Sequence, residues 1–372
     1  LCFASCLALG CSSADAEDVA MDTDATMDAA GGMESAGSSG ASDGDDDEPG
    51  SGNDPTGSDD PTGGTSGEPP GDSGDGGSTG GESMLPDDLC FTDPPAGSPE
   101  PPAPPSYSGG ACPDLTPGYI TGFSSQGRTR QFSLVVPDDY DANREYPIVF
   151  AWYHLSGDAL SFTQDIGAQQ LANRYDVIMV IPQATGDFQF VWPSTPLDNG
   201  SAGVDLGLFD DIYACVSEKF SINRNCVSSL GVSAGGLWTS FLGQRRGQYL
   251  ASNLVASGGH PIEFGGAWWG WQSSPHKFAG LVLWGGPADQ LGIDFNQASL
   301  HYMSELHGDN HFVLRCEHDG GHGLPPNIDP NDPASFDSLF HFMLNNPYWT
   351  AENSPLLASG LPEFYPDFCE VL

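Results

Sequence analysis

GVSAGG, residues 231–236, matches the pattern G-x-S-x-G with Ser233 at its centre. The residues before it, CVSSL (226–230), read as a short buried strand, and GLWTSFLGQ (236–244) reads as a helix. A serine on a sharp strand-to-helix turn projects its hydroxyl above the edge of a sheet. Gly231 and Gly235 suit such a turn, because side chains there would collide where strand and helix cross. The pattern alone is common in a chain rich in Gly and Ser. Its strand–turn–helix setting is what separates it from a loop without chemistry.

Working outward, strand and helix patterns alternate. RQFSLVV (130–136) alternates like a strand, while PIVFAW (147–152) and DVIMVIP (176–182) are continuous apolar runs, as in strands buried on both faces. Residues 162–173 have helical spacing, and 204–220 place Leu206, Phe209, Ile212, Tyr213, Val216 and Phe220 on one helical face. SNLVASGG (252–259), FAGLVLWGG (278–286) and HFVLRCE (311–317) read as strands, and 298–307 and 333–345 as helices. Repeated β-α units predict an α/β class fold, a mostly parallel central sheet with helices on both faces. Its chemistry should gather at the carboxyl ends of the strands.

A serine hydroxyl needs a base to take its proton and an acid to orient that base. In sheets of this kind the expected chain order is Ser, then Asp or Glu, then His. Asp289 sits in GGPADQ after the strand ending at Trp284, and His322 sits in EHDGGHGLPP after the strand ending near Cys316. Asp294 and Asp319 are rival acids and His318 is the rival base, but His322 lies between glycines that let a loop carry it over the serine. The oxyanion of an acyl-transfer intermediate would be held by the N–H of Ala234 and by that of Leu155 or Ser156 in YHLSGD (153–158). His154 is read as packing beneath that loop. No metal or organic cofactor is required, and the cysteine spacing shows no paired metal-binding pattern.

From about 130 to 325 the chain resembles the esterase family of polyhydroxybutyrate depolymerases and feruloyl or acetylxylan esterases. The matching segments are PIVFAWYHLSG, VIMVIPQA, VWPSTP, VDLGLFDDI, GVSAGG, GGPAD and GGHGLP, in the family's order. The resemblance implies an α/β-hydrolase fold, with Ser233 as nucleophile, Asp289 as acid and His322 as base. The family's His-Gly pair after the third strand is His154-Leu155 here, with the glycine at 157. EFGGAWWGWQSSP (263–275) departs from the family and reads as a local insertion. Its Trp268, Trp269 and Trp271 either stack on a phenolic or sugar ring or form a satellite hydrophobic cluster. Trp268, together with Trp192 of VWPSTP, is the candidate substrate-binding aromatic.

Composition divides the chain. Residues 12–111 are almost pure Gly, Ser, Asp, Thr, Ala and Pro, hold 23 of the 51 acidic residues, and precede the first basic residue, Arg128. Such a segment buries too little apolar surface to offset chain entropy and is expected to be a disordered linker. Residues 112–372 form the expected catalytic domain, with a net charge of −18 that disfavours nucleic acid and anionic lipid. The apolar stretch 1–11, LCFASCLALGC, resembles the tail of a bacterial lipoprotein signal, with Cys11 lipidated; cleavage without lipidation is the alternative.

Beyond Cys11 there are six cysteines, an even number that suits an exported, disulfide-bonded protein. Six cysteines allow fifteen pairings and the sequence does not choose among them; the expectation taken is Cys90–Cys112, Cys215–Cys226 and Cys316–Cys369. The combined expectation is a secreted or surface-tethered monomeric serine esterase acting on an ester substrate, polymeric in one version. It would touch the membrane only through the lipid anchor. A serine peptidase on the same fold and a non-catalytic carbohydrate- or partner-binding protein are the other readings. No propeller-like repeat is present to select peptides by size, and a binding module has no need of all three triad residues.

Overall fold

The run YPIVFAW, Tyr146–Trp152, is buried at all seven positions and lies near the middle of a nine-stranded sheet. The computed structural model describes residues 88–184, 202–263, 266–351 and 353–372. In chain order the elements are β1 (Gly118–Ser125), β2 (Arg128–Val135), β3 (Tyr146–Trp152), α1 (Ala159–Asp165), α2 (Ala168–Tyr175) and β4 (Ile178–Pro182). There follow α3 (Ala202–Lys219), β5 (Ile222–Val232), α4 (Ala234–Arg246), β6 (Ser252–Ala256), and the two-residue strands β7 (Ile262–Glu263) and β8 (Gly266–Ala267). The chain continues with β9 (Ala279–Trp284), α5 (Phe295–Gly308), β10 (Val313–Glu317), α6 (Asp337–Leu344), α7 (Pro355–Ser359) and β11 (Cys369–Val371).

The sheet order is β1-β2-β4-β3-β5-β6-β9-β10-β11. The six strands from β4 to β10 are parallel, and β1, β2 and β11 add antiparallel edges. The order reverses where β3 meets β5, and such a switch point opens a crevice at the carboxyl ends of the strands. β1 has a register shift between Ile120 and Phe123, with Gly122 at a φ of 82°.

Two expected boundaries move, each for a backbone reason. The helix expected over 162–173 is split into α1 and α2 by Gly167, whose φ of 61° lies in the left-handed region. The strand expected over 252–259 ends at Ala256, because Ser257 turns the chain at a φ of 41°. Helix α3 buries Phe209, Ile212, Tyr213 and Val216 completely. Its three aspartates also face inward, whereas Glu218 is exposed. Asp205 pairs with buried Arg130 at 2.5 Å, Asp210 holds Arg246 at 2.6 Å, and Asp211 accepts from the hydroxyls of Ser108 and Ser125 at 2.6 Å.

The disulfides are Cys90–Cys226, Cys112–Cys215 and Cys316–Cys369. The last is the expected one. The first two correct the expectation of short-range pairs: Cys215 on α3 and Cys226 on β5 each bond a cysteine of the N-terminal segment. That segment is packed on the domain well before residue 112. Cys90 is buried, Asp88 accepts from Asn345 at 2.6 Å, and the Tyr107 hydroxyl donates to the Ser124 carbonyl at 2.7 Å. The boundary expected at 112 therefore lies inside a stretch that cross-links hold to the core. Closing loops of 136 and 103 residues restricts the unfolded chain strongly. Among the described residues no helix is long and apolar enough to cross a membrane.

His276 and His311 sit side by side with Lys277. Burial is the main cause that pushes each imidazole down from 6.5 to about 4, and Lys277 adds to it. Between those values the unfolded chain binds protons that the folded chain refuses. Stability is therefore full above pH 6.5 and is expected to fall as pH drops from 6.5 toward 4. Urea midpoints measured from pH 7.5 to 4 would check this, and a flat profile would refute it.

Candidate active site

Ser233 opens α4 with φ 57° and ψ −119°, a backbone conformation that L-residues rarely adopt. Its N–H donates to the Ala256 carbonyl at 2.9 Å, and its carbonyl accepts from Leu237 at 2.9 Å, so both neighbouring elements hold the turn. The close approach expected at the glycines is present. A Cβ on Gly235 would lie 2.1 Å from the Trp152 carbonyl oxygen, and one on Gly231 would lie 2.2 Å from that of Gly235.

Ser233, Asp289 and His322 lie together at the carboxyl ends of β5, β9 and β10. His322 Nε2 is 2.8 Å from Ser233 Oγ, and His322 Nδ1 is 2.7 Å from Asp289 Oδ1. The carboxylate fixes the proton on Nδ1 and leaves the Nε2 lone pair for the serine hydroxyl. Asp289 is fully buried, and its second oxygen accepts from Ser257 Oγ at 2.7 Å and from the Gly285 N–H at 3.1 Å. A relay of this kind can draw the proton from serine as its oxygen attacks an electrophilic carbon.

Sequence reasoning missed Ser257. Its hydroxyl lies against Asp289, accepts from the Gly323 N–H at 2.8 Å and lies 2.9 Å from the Gly323 carbonyl oxygen. One side chain thus ties the acid to the residue following His322. The only signal in the sequence is its place just past a strand end in SGG. Phe295 packs on the His322 ring at 4.3 Å. The two loops meet so closely that a Cβ on Gly285 would lie 1.9 Å from the Gly321 carbonyl oxygen.

The rival residues are placed elsewhere. Asp294 caps α5 by accepting from the Gln297 N–H at 2.8 Å, and Asp319 is exposed. His318 is buried, with Nδ1 accepting from the Gly320 N–H at 3.1 Å. Ala234 is buried at the first position of α4, where an N–H has no acceptor within the helix. The loop with Leu155 and Ser156 leaves β3, and Ser156 has a φ of 65°. His154 Nδ1 donates to the Leu155 carbonyl at 2.8 Å and meets Phe162 edge-on, in keeping with packing under the loop. Trp269 and Trp271 pack against the core, as in a satellite cluster, and Trp268 is half-buried. Trp192 and Cys11 lie outside the described residues.

No family model matches the chain. Over 170 residues it is 27% identical to feruloyl esterase D of Neurospora crassa, a stretch covering 42% of this chain and 54% of that protein. The chain thus spans about half the length of this curated relative. Among solved structures, that of pOPH aligns with a TM-score of 0.57 at 16% identity over 70% of this chain and 97% of its own. That of sOPH aligns with a TM-score of 0.55 at 19% identity, also over 70% of this chain and 97% of its own. The chain has the α/β-hydrolase fold and is similar in sequence to a feruloyl esterase, as its ordered motifs led one to expect.

Proposed function

We propose that the protein is a serine esterase that hydrolyses carboxylic esters through an acyl-enzyme. The observation that carries this reading is the unbroken line of hydrogen bonds from Ser233 Oγ through His322 to Asp289, at 2.8 and 2.7 Å. Ser233 Oγ attacks the ester carbonyl carbon while its proton passes to His322 Nε2. The carbonyl oxygen becomes an oxyanion held by the Ala234 N–H and by that of Leu155 or Ser156. Collapse breaks the bond to the alcohol oxygen, which takes the proton from His322. Water, deprotonated by the same nitrogen, then attacks the acyl-enzyme, and the acid leaves with Ser233 restored.

The name of the curated relative favours an ester of an aromatic acid, and Trp268 is the candidate among the described residues to stack on its ring. Disulfides fit an exported protein. A long acidic segment after Cys11 would hold the domain away from a membrane, giving access to a polymeric ester.

The test is turnover of p-nitrophenyl butyrate, methyl ferulate, acetylated xylan and a hydroxybutyrate oligomer, together with labelling by a fluorophosphonate. Stoichiometric labelling of Ser233 and turnover of any ester support the reading, and the preferred ester sets the substrate class. Neither labelling nor turnover would overturn it in favour of a binding protein.

Ser257 acts in this scheme as a positioning residue. Ser257→Ala is expected to lower kcat by about 10–100-fold, the scale of a small misplacement of reacting groups, with KM little changed. Steady-state kinetics on p-nitrophenyl butyrate would check it. An equal loss in KM alone would mean that Ser257 shapes the pocket instead.

A further inference from the structure

Apart from the triad, one cluster of chemically reactive side chains stands out. His260 follows β6 beyond Ser257, and His301 and Glu305 lie one turn apart on α5. One ligating atom from each of the three lies within 4.8 Å of the others. The His260 and His301 rings are 4.6 Å apart, and His260 is 1% exposed.

The hydrogen bonds dictate where the ring protons sit. His260 Nε2 is 2.8 Å from the Trp269 carbonyl oxygen, so Nε2 carries the proton and Nδ1 carries the lone pair. That Nδ1 is buried and has no hydrogen-bond partner. His301 Nδ1 is 2.9 Å from the His260 carbonyl oxygen, so its proton sits there and the lone pair is on Nε2. That lone pair faces Glu305 Oε1 at 3.2 Å. Two imidazole lone pairs and a carboxylate are therefore gathered with no donor among them. Protonating His301 would relieve its contact with Glu305 but leave the buried His260 nitrogen without a partner.

We propose that His260, His301 and Glu305 bind a divalent transition-metal ion of the zinc class, fastening the tryptophan-rich segment after β6 to helix α5. Each imidazole already donates its far N–H to a backbone carbonyl, the outer arrangement that orients metal-ligating histidines. Two nitrogens and one carboxylate oxygen suit zinc rather than calcium or magnesium, which prefer all-oxygen sites. Ligands about 2.0–2.2 Å from zinc stand roughly 3.3 Å apart, so the half-buried His301 ring, now stacked on His260 at 24°, and the Glu305 carboxylate would have to turn inward to meet the ion. Water would complete a tetrahedron. The ion would hold in one place the carbonyl of Trp269, through His260, and the helix whose first residue, Phe295, packs on His322.

The experiment is titration of Zn²⁺ into untagged, chelator-treated full-length protein, with 1 mM CaCl₂ present to occupy the acidic segment. Calorimetry and thermal melts read the result for wild type, His301→Ala and Glu305→Ala. His260→Ala is avoided because that residue is in the core. One equivalent bound with Kd near or below about 1 μM, and a Tm raised by several degrees in excess zinc, are expected. Each variant should weaken binding at least tenfold and abolish the shift while keeping its own metal-free Tm near wild type. No stoichiometric binding, or binding that both variants retain, would overturn the proposal. Metal binding is read directly, so the outcome does not depend on the esterase reading.

Discussion

Ser233→Ala is expected to lower kcat on p-nitrophenyl butyrate by about 10⁴-fold or more, with little change in KM. The alanine removes the atom proposed to form the acyl-enzyme and should leave the fold intact, since the side chain is small and the turn is held by backbone bonds to Ala256 and Leu237. His322→Ala should cost nearly as much, because the serine then keeps its proton. The double variant should be no slower than either single one. Groups that act as a unit are lost together, so their costs do not add. Steady-state assays on the three variants would check this. Residual Ser233→Ala activity within tenfold of wild type would place the chemistry on another residue.

The second large effect concerns stability. Asp205→Ala leaves the guanidinium of Arg130 at 0% exposure without its carboxylate, and a buried charge stripped of its partner costs about 3–5 kcal/mol. The pair ties α3 to β2, and Arg130 also donates to the Gln183 carbonyl at 3.2 Å. Urea unfolding would measure the loss. The Arg130→Met, Asp205→Leu double variant should recover most of it, because two apolar side chains need no pairing in the core. A loss below about 1 kcal/mol in Asp205→Ala would mean that water reaches Arg130.

Most of the sheet was legible because its strands are apolar runs of the right length between turn residues. PIVFAW, DVIMVIP and FAGLVLWGG all became central parallel strands. The two edges were not legible. GYITGFSS has glycines and exposed positions where a buried strand has an apolar row, and Cys369–Val371 is too short to carry a period. The three candidate triad residues were legible because each follows a recognisable strand end, whereas Ser257 belongs to no motif. Two of the disulfides escaped because the sequence does not show that Cys215 on α3 and Cys226 on β5 both meet the N-terminal segment. That segment looked like linker throughout, since Pro and Gly dominate it. Cys90, Tyr107 and Cys112 fasten it, as two cross-links and one aromatic contact outweigh composition.

The edges that the sequence hid have a bearing on how copies of this protein meet. An open sheet invites a foreign strand to add itself to an unpaired outer row, the first step toward fibrils. Here one outer row is three residues long and covalently stitched to its neighbour through Cys316–Cys369. The other is broken by the register shift at Ile120–Phe123 and bent by Gly122. Neither end of the nine-stranded sheet presents a long flat template, so edge-to-edge pairing between copies is disfavoured there.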